Sequence, residues 1–142
     1  MKEVYATLKE IEEIVDWWYS LNKGYTDLNN LDDVLRRFTG LFYYLTEESA
    51  KAYQDYTISY VRRRVGLSKQ EQALIESSGL SKAKAESKSI SLCEELYNTE
   101  ATNESYHYTL KIKLNAMSKI IEAIKQKISN LKLEKQNTNN QV

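Results

Sequence analysis

Seven apolar residues, Leu110, Leu114, Met117, Ile121, Ile124, Ile128 and Leu131, are separated by alternating steps of four and three. That spacing holds one stripe of a helix against a neighbouring helix along its whole length, so it demands a helical partner. The rest of the chain agrees with it. There is no proline, and only four glycines occur in 142 residues, so few positions force a helix to stop. The expected fold is all-α: a helical bundle with a long C-terminal coiled-coil-like helix and a short helix-turn-helix corner.

Heptad spacing recurs upstream. Val4, Leu8, Ile11, Val15 and Trp18 predict a first helix over about Lys2 to Leu21, with Glu10, Glu13 and Asp16 opposite and a stop at Asn22, Lys23 and Gly24. After a loop from Tyr25 to Asn30, a second helix is expected from Leu31, capped by Asn30, with Leu35, Phe38, Phe42 and Leu45 facing inward. Gly40 is read as a close crossing or a bend. Thr46 is placed to cap a new helix, yet Ala52, Tyr53, Tyr56 and Tyr60 extend the stripe well enough for one helix to reach Val65. Gly66 is read as its end, because Ser68 to Glu71 spells the capping box S-x-x-E before a short helix from Lys69 to about Ser77. Gly79 and Ser81 then predict a tight turn into the next helix.

From Lys82 onward neither Gly nor Pro occurs. The stripe reaches the C-terminal seam through two successive steps of four, Tyr106 to Leu110 to Leu114, which is a stutter. The polar run from Asn98 to Ser105 is the expected weak point. One helical domain is predicted over residues 1–134 and a disordered tail over 135–142, where the composition turns polar.

Net charge is zero but unevenly placed. Residues 1–60 carry six basic and eleven acidic side chains, 61–93 seven basic and three acidic, and 111–135 seven Lys and two Glu. Five of the seven positions flanking the seam are lysines, Lys111, Lys113, Lys125, Lys127 and Lys132. Like charges across such a seam oppose a parallel self-dimer, so the seam is expected to close on the acidic first helix or in a bundle, antiparallel or multi-helix self-assembly and a foreign acidic helix being the other solutions. Trp17, Trp18 and Tyr19 cannot all point inward, which marks Trp17 and Trp18, with the seam residues, as candidate protein-interface positions.

Chemistry is sparsely signalled. The sequence contains no phosphate-binding glycine loop, no H-E-x-x-H and no nucleophile elbow. Glu104 and His107 form a single E-x-x-H, half of what a di-iron bundle needs from one chain, so neither a metal nor another cofactor is expected. Cys93, the only cysteine, has no Cys-x-x-Cys partner and excludes an intramolecular disulfide. A non-enzymatic protein follows. No stretch reads as a secretory signal, and the most apolar window, Phe38 to Leu45, falls far short of the roughly 20 residues of a membrane span. The expected location is cytoplasmic, away from membranes.

Nucleic acid is the alternative partner. Lys82, Lys84 and Lys88 follow the Ser78-Gly79-Leu80-Ser81 turn as in a helix-turn-helix, although Ile75 stands where that motif usually has a small residue. Arg62, Arg63 and Arg64 beside Tyr53, Tyr56 and Tyr60 have the composition of a single-strand-binding surface, or of a helix core with its tyrosine hydroxyls at the edge.

The stretch from Lys82-Ala83-Lys84-Ala85-Glu86-Ser87 through Tyr106-His107-Tyr108-Thr109-Leu110 to Ala123-Ile124-Lys125-Gln126-Lys127-Ile128-Ser129-Asn130-Leu131-Lys132 looks like small helical proteins of bacteriophage genomes. The resemblance implies an accessory factor that binds phage or host machinery in the host cytoplasm, or an inhibitor that sequesters a host nuclease or defence protein. It assigns no functional residue.

Overall fold

The computed structural model describes residues 2–21 and 27–141. Four helices account for nearly all of them: α1 (Lys2–Ser20), α2 (Leu28–Ser78), α3 (Lys82–Leu92) and α4 (Glu94–Asn139). No strand occurs among the described residues. The chain divides into two compact units, one of residues 1–48 with 111–142 and the other of residues 49–110, so α2 and α4 contribute to both. The stutter at Leu110 coincides with the passage of α4 from one unit to the other.

The first unit is built from α1, the start of α2 and the second half of α4. α2 begins three residues before the predicted start, because Asp27 rather than Asn30 caps it: its Oδ1 accepts from the Asn29 amide at 3.1 Å and its carbonyl from the Leu31 amide at 3.1 Å. The stop predicted at Asn22 to Gly24 lies outside the described residues. Leu31, Phe38 and Leu45 are fully buried, as are Met117 and Ile124 from α4, with Ile11 and Ile14 of α1 nearly so. Ile14 rather than Val15 is the deeper residue, a shift of one position from the predicted face of α1.

α1 lies beside both long helices. Glu10 pairs with Arg37 of α2, and Glu13, Ile14 and Trp17 line a shallow groove with Asn30 and Val34. Lys113 Nζ lies 3.5 Å from Glu12 Oε1, and Trp18 and Tyr19 border a groove with Ile112, Ala116, Ile120 and Ala123 of α4. Residue numbers rise together along α1 and α4 but oppositely along α1 and α2, so α1 is parallel to the former and antiparallel to the latter. Acidic α1 thus meets a lysine of the seam, at an exposed site where such a pair contributes at most about 1 kcal/mol. Burial of Ile11, Ile14, Ile120 and the seam holds this unit together.

The second unit packs α2 antiparallel to the first half of α4, with α3 alongside. On α2 the deepest positions recur every seven residues: Leu31, Phe38 and Leu45 in the first unit, Ala52 and Ser59, then half-buried Gly66, in the second. The inner residues of the first unit are large and those of the second are small, and small residues permit close helix approach. A Cβ built on Gly66 would stand 2.6 Å from Leu96 Cδ1 of α4. Gly66 therefore does not end a helix; α2 runs through it and through the predicted capping box to Ser78. Tyr53 and Tyr60, predicted to continue the core stripe, are instead exposed, because Ala52 and Ser59 hold the inner positions. Gly40 marks no crossing, since a Cβ there would have nothing within 4 Å. Thr46 caps nothing; its hydroxyl donates to the Phe42 carbonyl at 2.9 Å inside α2.

The turn at Gly79 matches expectation. Gly79 has φ +62, its amide donates to the Ile75 carbonyl at 3.2 Å, and Ser81 Oγ accepts from the Lys84 amide at 3.4 Å. α3 ends at Leu92, and the break comes at Cys93 rather than in the predicted polar run 98–105. The buried Cys93 donates its amide to Ser89 O at 2.9 Å, while its carbonyl accepts from Leu96 and Tyr97, so few backbone bonds are lost there. At the other end α4 continues to Asn139, into the tail predicted over 135–142, with every residue from Lys132 to Gln141 exposed.

Candidate functional site

In the second unit an internal polar lattice ties α2 to α4. Arg63 reaches across to Glu100 through two guanidinium nitrogens, Nε to Oε2 and Nη2 to Oε1, the latter at 3.3 Å. The guanidinium carbon lies 4.9 Å from the ring centre of Tyr97 and 5.3 Å from that of Tyr60. The Glu100 hydrogen bond raises Arg63 above its ordinary value, overcoming an opposing effect of burial. One turn further along α4 and two back along α2, Tyr56 Oη donates to Glu104 Oε1 at 3.5 Å, and Asn103 Nδ2 donates to the Asp55 carbonyl at 3.4 Å. Loss of hydration, then the charges of Glu104 and Glu100, push the Tyr56 hydroxyl above the usual tyrosine range.

His107 completes the lattice. Its ring stacks near-parallel to Tyr56 at 6.3 Å, tilts against Tyr53 at 5.1 Å and contacts Tyr108 at 5.7 Å. Its Nδ1 is buried with no hydrogen-bond partner among the described residues. The E-x-x-H pair is thereby engaged by α2 aromatics, and no group of three His, Cys, Asp or Glu side chains converges among the described residues.

The arginine triplet is split by this packing. Arg63 turns inward, whereas Arg62 and Arg64 are exposed, Arg64 lying 5.7 Å over the Tyr60 ring. Neither Arg62, Arg64 nor Lys69 has an ion pair among the described residues. Between them Ile58, Val61 and Val65 are 41%, 51% and 47% exposed, an apolar stripe on the outer side of α2. Tyr60, Val61, Arg64, Val65, Ser68 and Lys69 line one shallow groove there. The 58–61–65 spacing carries this surface in the sequence, beside tyrosines that have the pattern of a helix core.

The other candidate residues are dispersed. Leu110, Met117, Ile121, Ile124 and Ile128 are buried and Leu114 and Leu131 half-buried, so the seam is largely occupied by the chain's own packing. Trp17 and Trp18 are half-buried, and Tyr19 is the outward member of the aromatic trio at 75% exposure. Lys82, Lys84 and Lys88 are exposed on α3, whose inner face is Ala85 and Ser89. Among the described residues no helix is long and apolar enough to cross a membrane. Comparison with protein families, with curated proteins and with solved structures finds no match to this chain.

Proposed function

We propose that this chain is a non-enzymatic helical interaction protein that docks on a protein partner through the outer face of α2. The observation that carries the reading is the uncovered stripe of Ile58, Val61 and Val65 on a helix whose opposite side is already packed. Three branched apolar side chains in helical register lose favourable burial free energy by facing water, and a partner helix restores it at about 25 cal/mol per Å² covered. An accessory factor joining a larger machine uses such a face, and so does an inhibitor sequestering a nuclease or defence protein. The test compares the full chain with Val61→Glu/Val65→Glu, measuring solution mass and what each captures from the native cell. Loss of a captured partner in the variant is expected; a wild-type chain that is strictly monomeric and captures nothing refutes the reading.

A DNA-binding regulator is the second reading, favoured by the exposed Lys82, Lys84 and Lys88 after a three-residue turn. Binding of duplex DNA should then fall steeply with salt and with Lys→Glu changes at those positions. Indifference to both removes it.

A further inference from the structure

Building on the docking role of α2, we infer that the partner is an amphipathic helix with acidic residues flanking its apolar stripe. The outer face of α2 has heptad spacing over Ile58, Val61, Val65, Ser68, Gln72 and Ile75, which sets Arg62, Arg64 and Lys69 at the flanking positions beside its exposed apolar part, Ile58 to Val65, and Glu71 and Glu76 at those near Ile75. From Ile58 to Lys69 there are four cations and no anion. Glu100 neutralises only Arg63, so three positive charges border exposed apolar surface with no ion pair among the described residues. An acidic helix complements both the stripe and its rim.

A second copy of the same face does not. Parallel pairing sets Arg64 against Lys69 and Glu71 against Glu76. Antiparallel pairing of Val61 with Val65 sets Arg62 and Arg64 against their own copies, and the register that joins Ile58 to Ile75 opposes Arg62 to Lys69 and Asp55 to Glu76. Each of these three registers brings like charges together, and in none do opposite pairs outnumber them, Lys69 with Asp55 in the first antiparallel register and Arg64 with Glu71 in the second. Nucleic acid fits less well than a helix, because aliphatic side chains hold the middle of the stripe and the Tyr60 ring, the one aromatic lining the groove, already carries Arg63 and Arg64.

The test uses the full chain and two synthetic three-heptad helices with identical apolar residues, one with Glu and one with Lys at all flanking positions. The wild-type chain should bind the Glu peptide roughly tenfold more tightly than the Lys peptide. Arg62→Glu/Arg64→Glu should reverse that preference, and Val61→Asp/Val65→Asp should lose both peptides with helicity by circular dichroism unchanged. The milder Val61→Ala/Val65→Ala should weaken both if the Asp variant unfolds. Equal binding of the two peptides, a preference untouched by the arginine changes, stripe-dependent dimerisation, or binding of an oligonucleotide in place of either peptide overturns the inference. A cellular partner whose capture still needs Val61 and Val65, with no preference for the Glu peptide, leaves the docking role standing and removes only its acidic partner.

Discussion

Removing the carboxylate of Glu100 probes the physical centre of the second unit. The Arg63 and Glu100 side chains are 18% and 13% exposed, so Glu100→Gln leaves a guanidinium with little water, one weaker neutral acceptor and the faces of Tyr60 and Tyr97. Breaking a buried pair costs about 3–5 kcal/mol when the remaining charge is left alone. The two aromatic faces and residual solvent return part of that, which sets the expected loss at about 3 kcal/mol. Replacing both partners, as in Arg63→Met/Glu100→Leu, removes the charge together with its desolvation cost and should stay within about 1 kcal/mol of the parent. Urea unfolding followed by circular dichroism measures these proteins, and the single variants Arg63→Met and Glu100→Leu close the double-mutant cycle. A Glu100→Gln loss below about 1 kcal/mol, or a double variant as unstable as the sum of the singles, refutes the claim that the pair is coupled and desolvated.

Three further outcomes follow from the same packing. His107→Phe keeps the ring against Tyr53 and Tyr56 and deletes the orphaned Nδ1, so the urea midpoint should rise by the equivalent of about 1 kcal/mol; a fall refutes the burial assigned to that nitrogen. Gly66→Ala gains about 1 kcal/mol of helix propensity but forces Leu96 Cδ1 away, leaving little net change, whereas in a Leu96→Ala background the same change should stabilise by about that full amount. An equal effect in both backgrounds would show that the two helices are not in contact there. Tyr44 and Tyr56 are both held above the ordinary 10.0, mainly by lost hydration and then by neighbouring glutamates, so the folded chain binds these protons more tightly than the unfolded one. Their contribution is complete below pH 10 and is lost as pH rises through the raised values; Tyr44→Phe/Tyr56→Phe should flatten the fall of Tm at alkaline pH, and an unchanged slope would refute the shift.

Local signals were legible where their chemistry is local. Gly79 and Ser81 announce the turn between α2 and α3 because a positive φ and an N-cap are satisfied within a few residues. The seam from Leu110 to Leu131 is legible because its spacing is self-contained, and the charge map correctly pairs one of its lysines with the acidic α1. Gly66 misleads for the opposite reason: glycine before a capping box looks like a helix end unless one knows that Leu96, thirty residues later in the chain, needs the space. The outer face of α2 was hidden by neighbouring tyrosines that look more like core than Ala52 and Ser59 do.

The sequence by itself determined that this chain is helical, where α3 begins, and that the lysine-flanked seam requires a helix to cover it, since periodicity, capping and charge act over one or two turns. Tertiary structure alone decided which face of α2 is inside. Small residues at Ala52, Ser59 and Gly66 admit α4 closely enough for Arg63 to reach Glu100, and that inward turn leaves Arg62, Arg64 and the stripe of Ile58, Val61 and Val65 facing outward. Burial follows from which helix approaches most closely, a property shared by segments far apart in the chain that no single window of it contains.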